Sequence, residues 1–292
     1  MNTELARKGY TFNSVEWLRV NIEDPEGIAE VHRDYARAGA QVHIANTFST
    51  GLHVLEHFGL EHEFSVLNRA AVKVCSLAIS EAADHEQWIA GSISTFAHDH
   101  DRANLPATDK LEANVARQAE LLAHAGCDLI ALEMLFDIKN TLAMLKGAVT
   151  VGLPVSLGFV CKVSAGQVVN LKSVTRPGVS DSGPPIHDVL SRIMDQYKAG
   201  NPLIMTVMHS DVPDTGPALS EIRKCWDGAT AAYPNTGRYI PPGKWDTENG
   251  FGPTQFVEAC QHWLSDGLTM VGGCCGVGPD HIAALGHSLK RR

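Results

Sequence analysis

Short apolar runs alternate along the chain with longer amphipathic stretches. A short run bounded by turn residues reads as a buried strand, and apolar positions recurring every three to four residues read as a helix with one buried face. The pattern predicts strands at residues 42–47 (VHIANT), 88–93 (WIAGSI), 129–134 (LIALEM), 154–160 (PVSLGFV), 203–208 (LIMTVM), 229–233 (ATAAY) and 268–272 (LTMVG). Between them it predicts helices such as 26–38, 110–125, 137–146 and 186–198. Gly39, Gly126 and Gly200 stand where a glycine closes a helix C-terminus.

Strands that alternate with helices predict a parallel sheet. No glycine-rich phosphate turn follows the first strand, which argues against a doubly wound nucleotide-binding sheet. The run of strands instead fits an α/β fold, a (β/α)8 TIM-type barrel short of one strand, and 292 residues accommodate it as a single domain over 1–292. Residues 164–185 are loop-rich and are expected to wander over one barrel face.

Composition narrows the partners. A formal charge of -9 with interspersed signs does not suit a surface that tracks phosphates, so no nucleic acid is expected. No apolar run approaches the roughly 20 residues that span a bilayer, and MNTELARKGY lacks the apolar core of a signal peptide, so a cytoplasmic protein without a membrane partner is expected. Of seven cysteines, Cys75, Cys127, Cys161, Cys225 and Cys260 lie singly in apolar surroundings and read as buried reduced thiols.

The other two stand in MVGGCCGVGPDHI, residues 270–282, the sharpest chemical feature of the chain. Successive side chains of a strand point to opposite faces, so Cys274 and Cys275 meet at one point only if the backbone turns. Gly272, Gly273 and Gly276 supply the freedom for such a turn, and Asp280 after Pro279 starts the last helix. Paired thiolates suit zinc, and a catalytic zinc site holds three protein ligands and leaves one position open. Barrel sites lie at the C-terminal ends of strands, which points to His209, closing LIMTVMH, as the third ligand and Asp211 as an alternative. Without a metal, the cysteines read as a packed pair or a vicinal disulfide, and His209 as a hydrogen-bonded rim residue. His43 lies near another strand end, and His98, Asp99 and His100 form either a separate metal-binding triplet or a solvated polar loop.

With these residues in view, the chain resembles the homocysteine S-methyltransferase family over nearly its whole length. The resemblance rests on TELARKG at 3–9, VHRDYARAGA at 31–40, ANTFST at 45–50, AGSIS at 90–94, ALEM at 131–134, YPNTG at 233–237 and GGCCGVGPDHI at 272–282. It implies a zinc-dependent methyltransferase that moves a methyl group from a small donor to homocysteine, giving methionine. In the family two cysteines of GGCCG and one at another strand end hold the zinc, and the homocysteine thiol takes the open position. Cys274 and Cys275 match, while the family's third cysteine falls on His209 and the asparagine before it on Met208. Glu133 matches the glutamate that holds the homocysteine amino group. Asn46, Ser92 and Asn235 are implied to line the substrate, against plain alternatives of a turn cap for Asn46 and, for Tyr233 and Asn235, a structural role.

Replacing one thiolate by a neutral imidazole removes a unit of negative charge and makes a bound thiolate less electron-rich. That favours an activated donor, an S-methylmethionine-like sulfonium first or a methylated amine, or a different acceptor. Family members also open with an apolar strand and an acidic-glycine turn before the stretch matching TELARKG, and here Met1 and Asn2 stand where that strand should end: either the natural start lies further upstream or the barrel is incomplete. An incomplete barrel would expose strand edges, and with them weak stability or homo-oligomerisation is expected. The rival readings are a divergent member that acts on another acceptor or has lost catalysis and binds a partner, and a zinc hydrolase.

Overall fold

The computed structural model describes residues 1–11, 13–95, 105–171, 182–197, 200–240, 244–246 and 250–290. Helices α1 (Asn2–Arg7), α2 (Ser14–Glu23) and α3 (Pro25–Arg37) precede strand β1 (Val42–Ala45). The chain continues through α4 (Leu52–His57), α5 (Phe64–Ala82), β2 (Trp88–Ser94), α6 (Thr108–Ala125), β3 (Leu129–Leu135), α7 (Ile138–Ala148) and β4 (Val155–Phe159). A three-stranded antiparallel sheet follows, β5 (Cys161–Ser164), β6 (Gln167–Leu171) and β7 (Ser182–Pro185), and then α8 (Ile186–Gln196). Next come β8 (Leu203–Asp211), α9 (Val212–Arg223) and β9 (Thr230–Asn235), then the hairpin β10 (Arg238–Ile240) and β11 (Lys244–Asp246). Helix α10 (Pro253–Ser265), β12 (Met270–Val271) and α11 (Pro279–Leu289) complete it.

The strands expected from the apolar runs pair in parallel in the order β1-β2-β3-β4-β8-β9-β12, a curled seven-stranded sheet. Every expected strand is present, although the last shrinks to two residues. Residues 164–185, expected as loop, contribute β6 and β7 and so are partly sheet; their polar, glycine- and proline-rich composition hides strands that pair only with each other. Each strand of the large sheet is followed by a helix on its outer face. Gly39 and Gly126 adopt φ of 95° and 106° at the ends of α3 and α6, the left-handed conformation that closes a helix at low steric cost in glycine.

The ring of helices closes and the ring of strands does not. Helices α5 to α11 pack in sequence around the sheet, and α3 fills the remaining place by touching both α5 and α11. Among the described residues no strand pairs β1 with β12. Register identifies the inner face: the Tyr233 hydroxyl on β9 donates across to Glu133 on β3, with β4 and β8 between them, so both side chains point inward. Ala90 and Ser92 share that face, and Ile44, which pairs with Ala90, extends it to β1. Val42, two residues earlier, is 38% exposed, and Met270 and Val271 are half-buried, whereas all of β4 is buried. The missing neighbour thus exposes the inner face at both edges of the sheet.

The core lies mostly between sheet and helices, around Val72, Leu122, Ile130, Leu157, Val207 and Phe256, and the interior of the curl is small and polar. The α6–α7 contact shows how tight the outer layer is. A Cβ on Gly147 would stand 2.5 Å from the Glu112 carbonyl and 2.9 Å from the Ala116 amide. Gly147→Ala should therefore force the helices apart and lose about 1–3 kcal/mol, as overpacked cores do, measurable as a lowered urea midpoint.

Candidate metal centre

The site is built from two segments at the C-terminal mouth of the sheet. The register between β8 and β9 shifts between Met208 and Asp211, and His209 adopts φ of 48°. Such a bulge inserts an extra residue and re-aims a side chain, so His209 turns toward the following strand ends. Its Nδ1 lies 3.4 Å from the Cys274 Sγ and 3.7 Å from the Cys275 Sγ, and the two sulfurs are 3.8 Å apart. These three ligand atoms all lie within 4.8 Å of one another, a grouping that could hold a metal ion.

The turn that the adjacent cysteines require is present, by a different route from the one the glycines suggest. Only Gly276 of the three is left-handed, with φ of 87°, and its Cα packs so closely on residues 236–237 that a Cβ would meet the Gly237 amide at 2.7 Å. Gly273 is needed for space, because a Cβ there would overlap the Val277 side chain. Asn235 joins the two halves of the site. Its Nδ2 donates to the His209 carbonyl at 3.0 Å, and its Oδ1 accepts the Cys275 amide at 3.1 Å.

The electrostatics favour a shared proton. The hydrogen bond to Cys275 and burial push the Cys274 thiol well above its ordinary range, while accepting that bond lowers Cys275. Burial opposes protonation of His209, but Cys274, Glu133 and Asp211 outweigh it and leave the imidazole raised. The five single cysteines behave differently. Burial, reinforced at Cys127 by the Asp128 charge, raises Cys127 and Cys260 to about 12, and Cys75, Cys161 and Cys225 are raised as well, so those thiols are protonated.

Glu133 faces the triangle from β3. It is 5% exposed, receives hydrogen bonds from the Ser92 and Tyr233 hydroxyls, and titrates above the ordinary glutamate range because burial outweighs both bonds. The residue after it, Met134, adopts φ of 60° beside a second register shift, and its amide donates to the Met208 Sδ at 3.2 Å. Phe136, Val160 and Met208 form a buried apolar cluster on which Met134, Tyr233 and Cys274 pack.

The structure thus gathers His209, Cys274, Cys275, Glu133, Ser92 and Asn235. Asn235 spends its amide on the backbone of the two ligand segments, and Ser92 on Glu133. Asn46 stands apart in a clasp with Asn21: its Nδ2 donates to the Asn21 Oδ1 at 3.0 Å and its carbonyl accepts the Asn21 Nδ2 at 2.9 Å. Asp211 is exposed at the N-terminus of α9 and does not belong to the triangle. His43 is buried against Gln87 and the Ala40 carbonyl. His98, Asp99 and His100 lie outside the described residues. Met208 and Tyr233 shape the site more than their apolar sequence context suggests; the β-strand alternation that places both inward was the available signal.

A curled parallel sheet with a two-thiol, one-imidazole cluster at its C-terminal mouth belongs to the barrel enzymes whose site sits on the strand ends. A sequence model described as homocysteine S-methyltransferase matches residues 1–289, and the chain belongs to that family of methyltransferases. The fold is similar to that of the homocysteine methyltransferase MmuM from Escherichia coli. Its oxidized form aligns with TM-score 0.76 and 22% identity, covering 99% of this chain and 93% of that one. Its metallated form gives 0.75 over the same coverage, and its apo form 0.71 with 23% identity over 98% and 92%.

Because Glu133 is held above its unfolded value, the folded protein retains a proton that the unfolded chain releases near pH 4.3. Stability is thus lost as pH rises through the folded value. Glu133→Gln should remove that loss, and melting temperatures taken from pH 4 to pH 8 should show a smaller decline for the variant than for the wild type.

Proposed function

We propose that the protein binds one zinc ion through His209, Cys274 and Cys275 and transfers a methyl group to the thiol of homocysteine. The observation that carries this reading is the size of the triangle. Zinc bonds of about 2.3 Å to sulfur and 2.0 Å to nitrogen place tetrahedral sulfurs about 3.8 Å apart and sulfur about 3.5 Å from nitrogen. The sulfur separation of 3.8 Å and the sulfur–nitrogen separations of 3.4 and 3.7 Å suit that tetrahedron. When bound, zinc supplies a Lewis acid that lowers the pKa of a thiol in its open position to near neutrality.

The remaining work falls to the chain. Glu133, buried and bonded among the described residues by the Ser92 and Tyr233 hydroxyls, offers its carboxylate to the substrate ammonium group, and those two hydroxyls fix its direction. The Phe136, Val160 and Met208 cluster excludes water beside Cys274. The acceptor sulfur attacks the donor methyl carbon; a new S–C bond forms, and the electron pair of the old bond leaves with the donor. Alignment and dehydration account for the catalysis, with no general base at the methyl group. His209 in place of a thiolate makes the acceptor sulfur less electron-rich, which suits a sulfonium donor of the S-methylmethionine kind, followed by a methylated amine.

Zinc content and homocysteine binding on freshly reduced protein test the reading. About one zinc per chain is expected in the wild type, with homocysteine binding that depends on it, and His209→Ala should lose most of both. A metal-free wild type that ignores homocysteine would overturn the proposal, and zinc without affinity for the thiol would redirect it to hydrolysis.

A further inference from the structure

We infer that Arg7 and Tyr35 are positioning residues for the thiolate loop, clamping it from the side of the sheet where β12 has no neighbouring strand. The inference rests on the metal site proposed above. Residues 272–278 are held on one side by β9, through the Gly272 amide on the Ala232 carbonyl, the Cys274 amide on the Pro234 carbonyl and the Thr236 amide on the Cys275 carbonyl, at 2.8, 2.9 and 3.0 Å. On the other side no described strand pairs with β12. Two side chains from outside the sheet occupy that flank instead.

Arg7 Nη2 donates to the Gly276 carbonyl at 2.9 Å, and the Tyr35 hydroxyl donates to the Val277 carbonyl at 2.6 Å. The next peptides after Cys275 are therefore fixed in direction, and with them the left-handed turn that swings both sulfurs toward His209. Both donors are themselves held. Arg7 pairs with the buried Glu4, and the two pack on Gly278 so tightly that a Cβ would meet Arg7 Nη1 at 2.8 Å and Glu4 Oε1 at 3.2 Å. Helix α1 docks on α3 through Leu5, Ile28 and Val31, and Lys8 reaches Glu30 and Asp34 at 3.1 and 3.0 Å. Tyr35 stands on α3, the helix that completes the outer ring. A carbonyl released from such a bond is free to rotate, and groups that orient metal ligands this way are typically worth 10–100-fold in affinity.

The test uses the whole chain and measures zinc affinity against a chromophoric chelator, the sulfur-to-metal absorption of the cobalt(II) form, and melting of metal-free protein. Arg7→Met should weaken zinc binding about tenfold or more and alter the cobalt spectrum; it also leaves the buried Glu4 without its partner, so the metal-free melting temperature should fall, but by less than that of the zinc form. Arg7→Lys, which keeps a donor, should recover part of the affinity. If Arg7→Met does not accumulate as folded protein, Tyr35→Phe removes a single oxygen and should shift affinity and spectrum the same way. Wild-type affinity and spectrum in Tyr35→Phe and the Arg7 variants would overturn the clamp and leave the metal site intact. So would a loss of metal-free melting temperature as large as the loss in the zinc form, because the residues would then be merely structural. A wild type that takes up neither zinc nor cobalt would overturn both proposals.

Discussion

Three donor atoms on segments 65 residues apart must meet within 4.8 Å, and the Asn235 amide is what makes the two segments one object. It stands on the strand between them and binds the backbone of both, the His209 carbonyl on one side and the Cys275 amide on the other. A side chain that binds backbone on two neighbours sets their separation without depending on rotamers elsewhere. The bulge at His209, the turn at Gly276 and the outward contacts of α1 and α3 all act about that fixed distance.

The same mouth concentrates the costs of the fold. Two non-glycine residues in left-handed backbone, Met134 and His209, follow directly on inward-facing side chains of β3 and β8. Each costs on the order of 1–3 kcal/mol and persists where surrounding structure dictates it. A buried carboxylate served by two hydroxyls adds to the cost. Strain and burial of this kind persist only where packing holds them, and the tightly packed outer layer around Gly147 and Phe256 supplies that support.

Much of this follows from the amino-acid pattern. The apolar runs mark each strand of the large sheet because both faces of a parallel sheet are covered, and the glycine-framed cysteines with a histidine at another strand end point to the same three side chains the fold brings together. The sheet of β5 to β7 is concealed because its strands are short, polar and locally paired, so no run betrays them. The role of Asn235 as a tie is equally hidden, since an asparagine after a strand reads the same whether it faces a substrate or two backbones. Asn46 illustrates the reverse: its partner, Asn21, sits on α2, and nothing in the local sequence announces the pair.

The broken ring of strands changes how the chain can assemble. A closed barrel must bring its first and last strands into register, a contact that spans nearly the whole chain and carries the largest loop-closure entropy. Among the described residues β1 and β12 share no such register, and the contact between the two ends of the sheet passes instead through the packing of α3 on α11 and the contacts of Arg7 and Tyr35 with the cysteine loop. The two ends of the sheet are thus joined by side chains and helix packing, contacts that tolerate small errors of alignment that a hydrogen-bonded strand would not.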